Sequence, residues 1–202
     1  MKKYFPILGF SSFNLGIFFL PSALPIGGFF LIISMALSFF INGNNFFKDR
    51  LNYPLYLASF LMIISNIKNT LFLNYDKLPS FENTATEFIN TKFIIENNWI
   101  DLLNWLPFFL FFWSSQKYLN SYKKREFVAK TLIIGTVPVI YSCIRQYWFN
   151  SYGPFKTLFG LIVWFQVPAE RFEGSVTGLF SNPNYCGFWL AIVFPFIFYF
   201  FK

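Results

Sequence analysis

The chain is poor in the residues that most enzymes use to bind metals or to transfer protons. It contains no histidine and only two cysteines, Cys143 and Cys186. Protein zinc sites draw their ligands mainly from cysteine and histidine, so this composition argues against a zinc centre. We accordingly expect no metal and no other cofactor. The two cysteines fall within or beside the last two apolar segments, where they either form a disulfide or remain as buried thiols.

Charged residues are also scarce, at 12% of the chain. A soluble domain averages about one quarter charged residues. Hydrophobic residues make up 55% of the chain and come in long blocks instead of amphipathic stripes. Blocks of about 20 apolar residues are typical of helices that span a bilayer. The composition therefore predicts an all-α, polytopic membrane helix bundle that forms a single membrane domain over residues 1–202.

Six apolar segments are candidate spans, and the lipid bilayer is their expected partner. The first, third and fourth are near 15 residues, against about 20 for a straight span, so a half-inserted or interfacial segment is the alternative for each. Two outer loops are expected, one of them with an interfacial helix that begins near Thr84. The predicted spans are residues 5–20, 22–41, 53–67, 100–115, 127–149 and 185–201, and the loops are 68–99 and 150–184.

Lysine and arginine predict the orientation. With the N-terminus in the cytoplasm, ten of the 16 basic residues but only two of the nine acidic residues fall on the inner side. The net charge of +7 is then the inward bias typical of membrane proteins, and it requires no nucleic-acid partner. The inner basic residues are Lys2, Lys3, Lys48, Arg50, Lys117, Lys123, Lys124, Arg125, Lys130 and Lys202.

A polar cluster stands directly before the last apolar segment, at residues 171–190 (RFEGSVTGLFSNPNYCGFWL). Asn182 can cap a helix, and Pro183 suits the first helical position. A helix N-terminus is a natural site for an anion such as phosphate, and Arg171 or Arg145 could add a bidentate cation. The alternative is that the cluster only caps a membrane helix. Before it, residues 155–167 are apolar but short, which indicates an interfacial or re-entrant segment.

These motifs resemble the O-antigen ligase/polymerase family of polytopic membrane proteins. The resemblance covers about the last third of the chain, from Val139 to Pro195, and the preceding part is similar in span count and hydropathy alone. The most specific element is G-x-F-x-N-P-N at the opening of a membrane helix. The matching residues are Gln146-Tyr147, Gly153-Pro154, Trp164-Phe165-Gln166, Gly178 to Tyr185 and Gly187.

The resemblance implies a substrate and a location. Members of this family join or polymerise glycans at the outer face of the bacterial inner membrane, using a sugar chain carried on a polyprenyl diphosphate. Their outer arginines are thought to hold the diphosphate. By resemblance, the chain is a multi-pass protein of that membrane, and its partner is a polyprenyl-diphosphate-linked glycan. The implied lipid-diphosphate site comprises Arg145, Gln146, Arg171, Gly178, Asn182 and Asn184.

Two departures from the family pattern concern the chemistry. The family often places an arginine three residues before the motif glycine, where this chain has Ser175, and its nearest arginine is Arg171. The family's acceptor-activating histidine lies in a later loop, and this chain has none. We therefore expect an N-terminal half of the family architecture. It would be inactive alone as a glycosyltransferase and could be completed by a separate C-terminal-half chain.

Two other functions remain open from the sequence. Arg145, Arg171 and the 155–167 segment would also suit a carrier of small solutes or inorganic anions. Against a carrier, the chain has no internal repeat, and the predicted spans hold no clear ion-coupling carboxylate at their centres. The second alternative is a non-catalytic membrane relic.

Overall fold

A computed structural model describes residues 4–42, 49–72, 84–153, 155–157, 162–164 and 175–200. These residues form six α-helices and one turn of 3-10 helix, which covers Arg50–Asn52 and leads into the third α-helix. The helices are α1 (Phe5–Phe19), α2 (Leu24–Asn42), α3 (Tyr53–Phe72), α4 (Thr84–Tyr118), α5 (Tyr122–Phe149) and α6 (Pro183–Phe200).

Each predicted span overlaps one helix, and three of the helices can cross a membrane. Within the described part of the chain, α2, α5 and α6 are long and apolar enough to do so, whereas α1 is apolar but has only 15 residues. Large apolar side chains on these helices point outward, among them Phe188, which is 72% exposed. Such exposure is costly in water and favourable in lipid. The described chain is therefore mainly helical, and three of its six helices have the length and composition of membrane spans.

The fourth helix differs from the sequence-based expectation. Residues 84–99 were expected in an outer loop with a separate interfacial helix, yet α4 runs without a break from Thr84 through Pro107 to Tyr118. The third helix likewise continues past the predicted end of its span, to Phe72. Residues 73–83 of the expected loop lie outside the described residues. Polar residues interrupt the apolar pattern in both helices, so hydropathy alone did not predict where the helical backbone begins and ends.

Two three-residue strands form a short hairpin beside the six helices, which otherwise agree with the predicted all-α class. Strand β1 (Phe155–Thr157) pairs antiparallel with strand β2 (Ile162–Trp164), with Lys156 opposite Val163. The segment 155–167 was expected to be interfacial or re-entrant, and in its described parts it is extended and paired. Isoleucine, valine, threonine and aromatic residues favour strands, and Gly160 lies between the two runs. Residues 158–161 and 165–167 lie outside the described residues.

The chain divides into two compact units, residues 42–114 and residues 1–41 with 115–202. In the second of these, α1 crosses α5 at Gly135, where a Cβ atom would lie 2.5 Å from the backbone oxygen of Phe18. Small residues at such crossings let helix backbones approach each other, as is common in membrane bundles. Substitution of Gly135 by any larger residue would therefore force α1 and α5 apart.

Hydrogen bonds between helices reinforce this unit. The Tyr118 hydroxyl donates to the carbonyl of Ser34 at 2.6 Å and so joins α4 to α2. The hydroxyl of Thr131 on α5 donates to the side chain of Asn14 on α1 at 3.5 Å. Polar side chains buried among apolar helices need such partners, because an unpaired polar group is costly there. The helix order of the unit is therefore fixed by polar contacts as well as by packing.

The unit formed by residues 42–114 contains α3 and most of α4. The indole N–H of Trp99 donates to the hydroxyl of Thr70 at 3.1 Å. Trp113 is 1% exposed, and Asn52 is fully buried. A cavity of about 290 Å³ lies between the two helices, and its lining is almost entirely apolar. Nothing in it combines polar groups into a recognisable chemical site.

Candidate functional site

The last two helices run antiparallel and touch along their length. At one end, the hydroxyls of Tyr122 and Tyr199 are hydrogen-bonded. Further along, the indole N–H of Trp189 donates to Thr136 Oγ1 at 2.9 Å. At the other end, the sulfur atoms of Cys143 and Cys186 lie 3.5 Å apart. These contacts place the C-terminal end of α5 beside the N-terminal end of α6, where the sequence predicts the functional cluster.

Gln146 connects the C-terminal end of α5 to the segment that precedes α6. Its side chain is fully buried, and its Oε1 accepts hydrogen bonds from the backbone N–H groups of Thr177 and Gly178, both at 2.9 Å. Its Nε2 donates to Thr177 Oγ1 at 3.1 Å and to the Gly178 carbonyl at 2.9 Å. Both ends of the amide are thus satisfied by one turn of the chain. Gln146 holds the segment before α6 against α5.

Gly178 is required at that turn for two reasons. Its φ is +60°, in the left-handed region that favours glycine. A Cβ atom there would also lie 3.1 Å from Cys143 Sγ, Cys186 Sγ and Val139 Cγ1. The carbonyl of Gly178 accepts a second hydrogen bond, from the Ser142 hydroxyl at 3.0 Å. The glycine of the G-x-F-x-N-P-N element is therefore locked to α5 by backbone and side-chain contacts.

Asn182 caps α6, which begins at Pro183 as the sequence predicts. The Asn182 side-chain oxygen accepts from the backbone N–H of Asn184 at 2.8 Å, and the Asn182 backbone carbonyl accepts from the Cys186 N–H at 3.3 Å. Pro183 has no N–H to offer. The expectation that free N–H groups of this helix end would meet an anion therefore needs correction, because most donors of the first turn are used or missing.

A hollow of about 500 Å³ lies over the first two turns of α6. Asn184 is exposed and lines it, and half-buried Ser175 lines it from the preceding segment. An amide and a hydroxyl are neutral donors that can bind phosphate oxygens without adding charge. The hollow therefore combines the polar side chains of Asn184 and Ser175 with an apolar floor formed by Val176, Pro183 and Leu190.

Of the two candidate arginines, the structure describes Arg145 but not Arg171. Arg145 is half-buried on α5, next to Gln146 in sequence but on another face of the helix. Its guanidinium donates to the Ser151 hydroxyl and lies 5.9 Å from the Tyr141 ring centroid. These contacts direct it toward the turn after α5, where Asn150 ends the helix with a φ of +46°. Arg171 lies outside the described residues.

Of the six predicted site residues, the structure brings Gln146 and Gly178 into direct contact and places Asn182 and Asn184 at the start of α6. Sequence reasoning missed Ser142 and Thr177, which complete the polar network. Ser142 lies four residues before Gln146 and so shares its helix face. That spacing was a usable signal. Thr177 had no signal of its own, because its role depends on a contact across 31 residues.

The two cysteines are free thiols. Cys186 is 2% exposed and Cys143 is half-buried, and both border Gly178. Of the two alternatives left open by the sequence, the structure shows free thiols, with the sulfur atoms 3.5 Å apart. Buried free thiols of this kind pack as small apolar groups. Their position makes them part of the wall behind the Gly178 turn.

No protein-family profile, curated protein or solved structure matches this chain. The function must therefore be inferred from the geometry of the site together with the sequence motif.

Proposed function

We propose that the chain is an O-antigen ligase/polymerase-like membrane protein of cell-surface polysaccharide assembly. In this proposal the C-terminal end of α5 and the N-terminal end of α6 face the outer side of the bacterial inner membrane. There they bind the diphosphate of a polyprenyl-linked glycan. Transfer of the glycan would need groups that the described site does not supply, such as a base for the acceptor hydroxyl.

The contact between Gln146 and Gly178 carries the proposal. Both residues belong to the motif by which the chain resembles the family, and they are separated by 32 residues in sequence. Their mutual hydrogen bonds make one structural unit out of two parts of the motif. A segment that only capped α6 would need Asn182 but not a fully buried glutamine on another helix. The Gln146 side chain makes four hydrogen bonds to this one turn, which supports a role in fixing the geometry of the hollow.

The diphosphate would lie in the hollow over α6, next to Asn184 and Ser175. The amide of Asn184 can donate to a phosphate oxygen, and hydrogen bonds to charged acceptors are the stronger kind. Arg171 precedes Gly178 by seven residues and is the nearest arginine before the motif. In the proposal it supplies the cation that a diphosphate needs. The polyprenyl chain would extend along the exposed apolar surface of α6, on which Phe188 and Ile192 stand.

Binding of a lipid-linked glycan to the purified full chain tests the proposal. Asn184→Ala should weaken binding about tenfold, which corresponds to about 1.4 kcal/mol and lies near the lower end for a hydrogen bond to a charged group. Arg171→Ala should weaken it at least as much. The matched control is Asn120→Ala, which removes the same amide from an exposed position beyond the far end of α5.

Equal affinities for wild type, Asn184→Ala and Arg171→Ala would contradict the proposal and leave the cluster a capping role. Anion uptake into proteoliposomes distinguishes the carrier alternative. Uptake above background by this chain alone would favour a carrier, whereas binding of the glycan lipid without uptake favours the proposal.

A further inference from the structure

At the opposite end of α5 and α6 lies a second groove that glycan binding does not use. Its cavity measures about 360 Å³. The inner walls are apolar, since α6 contributes Pro195, Phe196 and Phe200 and α5 contributes Ala129. Because the Ala129 side chain ends at Cβ, α5 leaves this space open. The groove therefore has an apolar lining and a volume that can accept part of a hydrocarbon chain.

The mouth of the groove is polar and positively charged. Tyr122 and Tyr199 join their hydroxyls across one side, and both rings are more than half exposed. Tyrosines with an apolar body and a wet hydroxyl favour the boundary between hydrocarbon and headgroups. Arg125 is exposed beside them. The rim thus carries the residue types that are typical of the depth at which lipid headgroups meet a protein.

Most N–H donors of the Arg125 guanidinium are not used by its hydrogen bond within the chain. One guanidinium nitrogen donates to the Leu119 carbonyl at 3.4 Å, but a guanidinium carries five N–H donors. The carboxylate at the mouth, Glu126, is paired with Lys130 at 2.7 Å and is therefore already neutralised. Lys123, next to Tyr122 in sequence, is exposed as well. The mouth consequently favours an anion over a zwitterion or a cation.

We propose that this groove binds one anionic phospholipid. An acyl chain fills the space between Ala129 and Phe196, and the phosphodiester accepts hydrogen bonds from Arg125. Two features together define the ligand. The apolar cavity excludes free phosphate as the main occupant, and the unneutralised cation at its mouth selects against a lipid without net charge. Lys130 lies 5.2 Å from the Phe200 ring centroid and closes the groove on the α6 side.

Native mass spectrometry of the purified full chain tests this proposal, with phosphatidylglycerol and phosphatidylcholine of identical acyl chains as probes. Wild type should retain phosphatidylglycerol in preference to phosphatidylcholine. Arg125→Gln should reduce that preference about fivefold, the factor expected for one cation near anionic lipid. The matched control is Arg50→Gln, which removes the same charge from an exposed site in the other unit and should leave the preference unchanged.

A second variant tests the cavity. Ala129→Phe fills the groove and should abolish the retained phosphatidylglycerol without changing the oligomeric state, and inorganic phosphate should show no retention by any variant. Three results would overturn the proposal: equal retention of the two lipids by wild type, equal effects of Arg125→Gln and Arg50→Gln, or a wild-type dimer that Ala129→Phe converts to monomer. The last would assign the groove to a second copy of the chain. Because Arg125 is exposed, its substitution keeps the test valid even where Ala129→Phe fails to fold.

Discussion

Gln146 and Gly178 hold each other through hydrogen bonds in both directions. Gln146 Oε1 accepts from the Gly178 N–H at 2.9 Å, and Gln146 Nε2 donates to the Gly178 carbonyl at 2.9 Å. A carboxamide is suited to this arrangement because it carries an acceptor and a donor side by side, like a backbone peptide. The turn before α6 is therefore joined to α5 by the same pair of donor and acceptor groups that a neighbouring backbone would offer.

Replacement of Gln146 by leucine should destabilise the protein by about 3 kcal/mol. Leucine fills most of the same space but leaves two buried backbone N–H groups without an acceptor, each at a cost of about 1–3 kcal/mol. Thermal unfolding in detergent, followed by tryptophan fluorescence, measures the loss. Ser142→Ala is the graded comparison, since the Gly178 carbonyl then keeps its bond from Gln146. Equal losses for the two variants would contradict the central place given to Gln146.

Substitution of Gly178 by alanine should also be destabilising. A left-handed conformation costs an L residue about 1–2 kcal/mol, and the new Cβ would meet Val139 and two sulfur atoms at 3.1 Å. Gly187 provides the control, because it lies in α6 and nothing lies within 4 Å of a Cβ built there. Gly187→Ala should be neutral or stabilising by up to about 1 kcal/mol. Unfolding midpoints that fall equally for both variants would argue against the geometry of this turn.

Mild oxidation should join Cys143 to Cys186 within one chain. The sulfur atoms lie 3.5 Å apart, and a disulfide needs them at about 2.05 Å. The reaction removes one hydrogen from each thiol and passes two electrons to the added oxidant. Mass spectrometry after thiol alkylation should then show a monomer with no alkylated cysteine. Two alkylated thiols after oxidation, or disulfide-linked dimers alone, would contradict the packing of α5 against α6.

Much of the helical framework could be predicted from the sequence. Long apolar blocks predict helices because a helix surrounded by protein or lipid is apolar on all its faces. Asn182-Pro183 predicts the start of α6, since asparagine caps helices and proline suits the first helical position. The extent of α4 could not be predicted in this way. Polar residues between Thr84 and Ile100 interrupt the apolar pattern but do not interrupt the helix. Hydropathy indicates whether a segment is surrounded by water or by apolar groups, but it does not indicate whether a helix continues through that segment.

The site was predicted only in part, for a different reason. Gln146 and Gly178 could be named from a motif, but their contact spans 32 residues and depends on how α5 and α6 pack. The capping role of Asn182 was predicted, but it occupies the Asn184 N–H, which the helix-end expectation had left available to an anion. The guanidinium of Arg145 donates to Ser151, a contact that the sequence did not predict. Side-chain direction on a helix is set by the tertiary structure, which spacing along the chain does not provide.

The most direct test of the proposed function compares two ligands that differ in their head alone. A polyprenyl diphosphate and the polyprenyl alcohol of the same length are titrated onto the purified full chain in detergent. We expect the diphosphate to bind at least about tenfold more tightly, since hydrogen bonds to a charged group contribute about 1.5–3 kcal/mol. We expect Asn184→Ala to reduce that difference. Equal binding of the two lipids would contradict a diphosphate site at the start of α6.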